Sequence, residues 1–274
     1  MGLASFSFWS LLCVGNRSLA SLSLILLVLL VPVVLQNENF PKWILWNIGQ
    51  GQFLTFSDPQ TCWHFDMGGD KAPWAEITRE CQGKSNRLSL SHWDWDHISM
   101  VSKGNAVFTQ FCVDREPLGP PPSPNKADVL KGTKPCLDLP RSLIEISWRG
   151  PKQKTSNELS RVYYGTQEKI LIPGDSPSNQ ERFWAIQNQY KISQTKFLVL
   201  GHHGSTTSTS ALLLNYLPQL KMGLVSAKKN RYGHPHQKIV QRCRQKGIPI
   251  IQTEYWGHLV IPARLVPTFG ISPN

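Results

Sequence analysis

The feature that most constrains this chain is the heptad Ser91-His92-Trp93-Asp94-Trp95-Asp96-His97. It packs two imidazoles and two carboxylates, all metal-ligand types, into one short run, with Trp93 and Trp95 between them. On an extended backbone His92 and Asp94 point to the same side, because successive side chains alternate. Asp96 and His97 are adjacent, so a sharp turn there aims them at a second, nearby point. Such an arrangement suits a dinuclear centre, in which two cations clamp the attacking and departing oxygens of a hydrolysis. A polar surface loop also collects Asp and His. It does not explain why Arg87-Leu88-Ser89-Leu90 alternates like a strand and delivers the heptad at its end. Trp93 and Trp95 either pack beneath the loop or stack on a base; packing is the expected role.

The same grammar recurs downstream. Lys169-Ile170-Leu171-Ile172-Pro173-Gly174-Asp175 is an apolar strand ending in Gly-Asp. Lys196 to Leu200 is another, ending in Gly201-His202-His203-Gly204-Ser205, and a third cluster reads Asn230-Arg231-Tyr232-Gly233-His234-Pro235-His236. Layered α/β proteins assemble their sites from loops at strand ends. Strands are expected at 43–48, 52–56, 62–65, 87–91, 143–148, 161–164, 169–172, 222–226, 248–252 and 258–261. Helices are expected at 74–82, 178–190, 208–217 and 236–245, with Thr207 or Ser208 capping the third. Four prolines between Gly119 and Pro124 force an extended loop. Periodicity alone gives a mixed α/β protein. His64 and His258 read as ordinary strand histidines.

On these motifs the chain, from about Trp43 to Ile261, resembles the metallo-β-lactamase-like domain of the ComEC family, membrane proteins of bacterial DNA uptake. Ser91 to His97 matches S-H-x-D-x-D-H, and Asp175, His202 to Ser205 and Asn230 to His236 match the later motifs. Phe65-Asp66-Met67-Gly68-Gly69 resembles D-T-G-G, and Asn157 falls where the family tends to have N-x-x-S. Ile48-Gly49-Gln50-Gly51 resembles the opening D-V-G-Q-G-D, but Asn47 and Gln52 stand where both acids are usual, and Ser99-Met100 where small glycines are usual.

The resemblance implies a four-layer αβ/βα sandwich and a dinuclear metal-dependent hydrolase, a nuclease or other phosphodiesterase acting on DNA during uptake. In this reading His92 and Asp94 hold one metal, Asp96 and His202 the other, Asp175 bridges them, and His97 belongs with Asp96. The carboxylate at Asp94 replaces a common histidine, makes the site harder and shifts preference from zinc toward manganese, though imidazole accepts both. His234, with Arg231 nearby, contacts the phosphate or protonates the leaving oxygen. His203, Ser205, Lys228, Lys229 and Asn230 are expected on the substrate side, and Asp66 and Asn157 behind the ligands. Two other readings remain: a non-catalytic DNA-binding module, and a metallo-hydrolase of another ester.

Charge and topology fit that picture. The formal net charge is +11, which favours a polyanionic partner such as DNA, single strands above all. Residues 1–35 carry Arg17 as their only charge, and Leu19 to Leu35 is almost wholly apolar, the short limit for a membrane span. They are expected to be an anchor or a signal segment, with residues 36–274 as the hydrolase domain. Arg17 on the amino-terminal flank favours an extracytoplasmic (periplasmic) or secreted domain, with a separate channel protein as its partner. In that compartment Cys62 with Cys81 and Cys112 with Cys136 are candidate bridges, though sequence does not fix the connectivity.

Overall fold

The computed structural model describes residues 40–137, 143–146, 148, 150 and 153–263; the expected segment 1–35 lies outside them. Among the described residues, twelve short strands form two six-stranded sheets. The first contains β1 (Lys42–Leu45), β2 (Leu54–Ser57), β3 (Thr61–Phe65), β4 (Ser85–Ser89), β5 (Phe111–Arg115) and, from the far end of the chain, β12 (Leu259–Pro262). The second contains β6 (Leu143–Glu145), β7 (Tyr163–Gly165), β8 (Ile170–Ile172), β9 (Phe197–Val199), β10 (Met222–Val225) and β11 (Ile250–Gln252). The orders are β12-β1-β2-β3-β4-β5 and β11-β10-β9-β8-β7-β6. Strands β3, β4 and β5 run parallel, as do β8, β9, β10 and β11.

The period-2 alternation of these strands builds three apolar layers. Trp43, Leu45, Trp63 and Phe65 point between the sheets, where they meet Tyr163, Ile170, Ile172, Val199 and Leu224. Their neighbours Ile44, Trp46, Cys62 and Leu88 point outward onto Ile77 and Val101, from the helices Trp74–Cys81 and Val101–Val107. On the other side Leu171, Leu198 and Val225 pack on Trp184, Leu213 and Ile239, from the helices Ser178–Gln187, Ala211–Asn215 and Gln237–Gln245. Each fully buried side chain of this size contributes about 1.5–3 kcal/mol. The result is helices, sheet, sheet, helices, the four-layer αβ/βα order. Among the described residues no helix is long and apolar enough to cross a membrane.

Several local expectations change. Strand β5 is not expected from the sequence, because Asp114 and Arg115 interrupt its apolar pattern; the Asp114 side chain is covered where it pairs with Arg87 of β4 at 3.1 Å. The helix expected from 208 begins at Ala211, and its cap is Ser210, whose Oγ accepts from Leu213 N–H at 3.1 Å. Thr209 has a left-handed φ of 50° and cannot belong to it. The buried Glu181 carboxylate takes the N–H groups of both Thr209 and Ser210. The helix expected over 178–190 breaks at Asn188. The proline-rich loop ends by starting a short helix, with Pro124 at the first position, where its missing N–H costs nothing.

Both expected disulfides are formed, Cys62–Cys81 tying β3 to its covering helix and Cys112–Cys136 stapling β5 to the segment beside it. With sequence separations of 19 and 24 residues, each restrains the unfolded chain by about 3 kcal/mol. Cys243 is free and buried.

A buried polar chain crosses the first sheet. Trp46 Nε1 donates to Thr55 Oγ1 at 2.8 Å, and Thr55 Oγ1 lies 2.9 Å from His64 Nδ1. The Asn86 amide spends its N–H groups on the carbonyls of Cys81 and Lys84, so its Oδ1 must accept from His64 Nε2, at 3.1 Å. Every polar atom in this chain is satisfied with His64 neutral. Burial pushes the imidazole down to about 4, outweighing the opposing Asn86 hydrogen bond. Between that value and the ordinary 6.5 the unfolded chain binds the extra proton. Stability is therefore complete above about 6.5 and is lost as pH falls toward about 4, by up to about 3 kcal/mol. Urea titrations across this window are expected to show a flatter acid limb for His64→Gln than for the wild type.

Candidate metal centre

Every candidate ligand sits at the carboxyl end of a strand, along the seam between the sheets. β3 ends at Asp66, β4 leads to the heptad, β8 to Asp175, β9 to His202 and His203, and β10 to the Lys228–His234 loop. Crevices outside carboxyl ends of strands are where open α/β sheets place ligands. The glycine motifs lie beneath the heptad. Gly51, at φ 140°, packs so closely under the Asp96 carbonyl that an added Cβ would stand 2.6 Å from its oxygen. A Cβ on Gly68 would meet the His97 backbone at 2.5 Å. The Gln52 N–H closes the contact by donating to the Asp96 carbonyl at 2.9 Å.

Four imidazoles converge with a single polarity. His97 Nδ1 bonds to Asp66 Oδ2 at 2.7 Å, His92 Nδ1 to Ser91 Oγ at 2.8 Å, His203 Nδ1 to the Ser226 carbonyl at 3.1 Å and His202 Nδ1 to Thr207 Oγ1 at 3.0 Å. Ser91 Oγ donates to Asp66 and Thr207 Oγ1 donates to Ser205, so each Nδ1 is the donor in its own bond. All four Nε2 atoms are thereby turned toward Asp175, which is almost fully buried. Its Oδ1 faces His97 at 3.1 Å and His203 at 3.8 Å; its Oδ2 faces His92 at 3.7 Å and His202 at 3.5 Å. Asp94 Oδ2 lies 3.5 Å from His92 Nε2, and Asp96 Oδ2 lies 3.2 Å from His203 Nε2. Two overlapping groups, His92-His97-Asp175 and Asp96-His97-His203, are close enough to share an ion.

Of the two adjacent histidines it is His203, not the expected His202, that stands beside Asp96, and both face Asp175. Both are left-handed, with φ 49° at His202 and 53° at His203, and this pair of turns carries His203 inward to Asp96. His202 stays on the open side, facing Asp175 Oδ2. Arg231 lies on the open side with His234, its guanidinium paired with Asp70. A cavity of about 610 Å³ opens over the centre, lined by Gln50, Asp94, Trp95, Asp96, Asp175, His202, Ser205, Arg231, Tyr232 and His234. Lys228, Lys229 and Asn230 lie outside that lining; Lys228 borders a smaller cavity with Asn47, Asp70 and Glu254. Asn157 is half-buried and gives its carbonyl to Ser160 N–H. It is Ser160, at the end of the same motif, whose Oγ accepts from Asp175 N–H at 3.2 Å. Ser160, Ser91 and Gln52 stand inside the sequence motifs but were not assigned supporting roles, and the Ser226 carbonyl, a backbone atom, carries no sequence signal of its own.

The electrostatics are those of a cation site. Burial raises Asp175, but His97, His203 and His92 outweigh it and hold the carboxyl well below its usual range. Burial likewise opposes a charge on His97, yet Asp175 and Asp66 hold its imidazole well above normal. Asp94 is pushed up by burial and down by His92 and Lys126, to about 2. His92 Nε2 is buried without a hydrogen bond, a costly state for a ring nitrogen that a cation relieves. The donor set, carboxylates mixed with imidazoles each oriented by an oxygen on the far nitrogen, fits divalent metals. On the open side, burial and the neighbouring His203 and His202 push His234 down to about 4.

The architecture can be placed among known folds. The metallo-beta-lactamase fold protein YhfI from Bacillus subtilis superposes with a TM-score of 0.53, covering 81% of this chain and 99% of that one at 10% identity. This chain therefore has the metallo-β-lactamase fold, with a His/Asp cluster at its strand ends. By sequence it is homologous to part of ComE operon protein 3 of Bacillus subtilis, at 32% identity over 96% of this chain and 39% of that protein. It is also homologous to part of competence protein ComA of Neisseria gonorrhoeae, at 38% identity over 81% of this chain and 32% of that one. The chain thus spans about a third of the length of these relatives. No family model matches it.

Asp66 orients His97 directly and His92 through Ser91, so its replacement is expected to loosen the centre without removing a ligand. Asp66→Asn should lower affinity for zinc or manganese by about 10–100-fold. Competition titration against a chromophoric chelator measures it.

Proposed function

We propose that this protein is a dinuclear metal-dependent phosphodiesterase that cuts DNA outside the cytoplasmic membrane, in the service of DNA uptake. The observation that carries the reading is the convergence of four Nε2 atoms on the two oxygens of Asp175. In it His92, Asp94 and His202 would hold one divalent cation, Asp96, His97 and His203 would hold a second, and Asp175 lies between the two groups. Bound there, the two cations would supply the charge that activates a water and neutralises a phosphodiester. The carboxylates favour manganese, and the imidazoles also admit zinc.

The chain's own groups do the rest. Asp66, Ser91, Ser226 and Thr207 fix the imidazole tautomers, and Ser160 steadies the Asp175 loop. His234 and Ser205 border the open cavity and orient the phosphate. Lys228, Lys229, Asn230 and Arg231, exposed on the neighbouring loop, draw in the polyanion. Two disulfides suit an oxidising compartment. The names of the homologues carry the competence setting, and residues 19–35 as an anchor beside a separate channel protein complete it.

The test is metal content together with cleavage. The full chain is expected to hold two equivalents of metal and to cleave DNA when manganese or zinc is supplied. Asp96→Ala should retain fewer than two equivalents and lose about 10³-fold in rate, the loss of about 4 kcal/mol at the reacting centre. Unchanged cleavage by this variant removes the centre from the mechanism. DNA binding without cleavage by the metal-loaded wild type replaces the enzyme with a binding module, and hydrolysis of small esters alone redirects it to another substrate.

A further inference from the structure

The alternating tryptophans of the heptad have separate fates. Trp93 is 4% exposed and donates from Nε1 to the Gly119 carbonyl at 3.1 Å, so it packs beneath the loop. Trp95 opens the turn Trp95–Ile98, is 46% exposed and lines the cavity over the metal centre. A second large ring, Tyr232, is 57% exposed and lines the same cavity, delivered by the loop after β10 of the other sheet. The rest of that lining is polar or charged. Both rings are about half exposed at a polar cavity rather than packed in a core; Tyr232 also meets the His234 ring at 5.9 Å, and the remaining exposed ring surface is available to a flat ligand.

Each ring is paired with a tethered cation. Lys126 Nζ lies 6.0 Å from the Trp95 centroid and 3.5 Å from Asp94 Oδ1, which holds it in place. Arg231 Cζ lies 5.3 Å from the Tyr232 centroid, and its guanidinium is held by Asp70. Anchored this way, Arg231 is a fixed charge on a ring rather than a free clamp. A flat π-system beside a positive charge is the chemistry of one nucleotide, base on the ring and phosphate on the cation.

We propose that Trp95 and Tyr232 are nucleobase-stacking platforms on the two sides of the seam, which makes an unpaired strand the substrate. This rests on the reading of the site as a DNA phosphodiesterase. In a duplex the base faces are already stacked on their neighbours and cannot reach either ring; in a single strand they can.

The experiment is equilibrium binding to the full chain in excess chelator, so that nothing is cleaved. The probes are a fluorescent thymidine homopolymer of about 12 nucleotides and an abasic strand of the same length and charge; stacking is worth about 5- to 150-fold per base. The wild type is expected to favour the thymidine strand by about 10-fold or more. That ratio should fall toward 1 in Trp95→Ala and in Tyr232→Ala and be restored in Trp95→Phe, the abasic strand serving as each variant's folding control. A ratio near 1 in the wild type, or one that neither alanine variant lowers, overturns the platforms while leaving the phosphodiesterase reading intact. Binding of neither strand removes the nucleic-acid reading beneath them.

Discussion

The structure is organised around a carboxylate buried where it should not survive. Asp175 lies almost out of reach of solvent, at the seam of two sheets, with the acids Asp94 and Asp96 close by. An isolated charge in such a place costs several kcal/mol, and a cluster of like charges costs more. With Nδ1 as the donor a neutral ring turns an Nε2 lone pair toward the carboxylate, so the imidazoles offset this cost only as cations, as His97 does, or by sharing a bound metal. The surrounding fold can be read as the apparatus that enforces this orientation. Asp66 takes an αL conformation to reach both Ser91 and His97. Gly51 and Gly68 let two backbones close on the Asp96-His97 turn. Consecutive left-handed residues rotate His203 onto the Ser226 carbonyl.

Much of this was legible in the sequence, and the part that was not has a common cause. The heptad, the Gly-Asp and the His pair stood out because ligand chemistry is scarce and each followed an apolar strand. The layered fold was implied by the same motifs, and the strand alternation at Trp43 to Leu45 and Trp63 to Phe65 is the alternation that builds the inter-sheet core. Which of His202 and His203 stands beside Asp96 was invisible, because two neighbouring identical side chains differ only in backbone dihedrals and partners. Strand β5 escaped for a related reason: Asp114 reads as exposed until Arg87 on the next strand is known to neutralise it. The pairing of Arg231 with Asp70 was equally out of view, because the two are distant in sequence. In each case the missing information is a long-range partner, which local pattern cannot supply.

The scaffolding behind the His pair shows how far the constraint reaches. Glu181, wholly buried, receives the N–H groups of Thr209 and Ser210, and Arg242 donates to the Thr209 carbonyl at 2.6 Å. Thr209 Oγ1 in turn accepts from Gly201 N–H at 3.0 Å, immediately before His202. Two helices thus brace a strained turn whose only evident task is to hold the loop that presents two imidazoles. Burial raises Glu181 to about 7 even against the hydrogen bonds of Ser210 and Thr209, so the brace itself is held at an energetic cost. Local strain is retained where the surroundings over-determine it, and such places cluster at functional sites.

The departures at the opening motif can be weighed on the same terms. Asn47 and Gln52 replace acids that the resembled motif carries, and drift at such positions is what loss of activity would leave behind. The structure gives Gln52 a task that suits an amide. Its Nε2 donates to Asp66 Oδ2 at 2.8 Å, the oxygen that also accepts from His97 and Ser91. A carboxylate at that distance would compete with Asp66 for protons or repel it; the amide instead adds a third donor and keeps Asp66 an acceptor. The substitution therefore leaves the polarity of the imidazole ring unchanged.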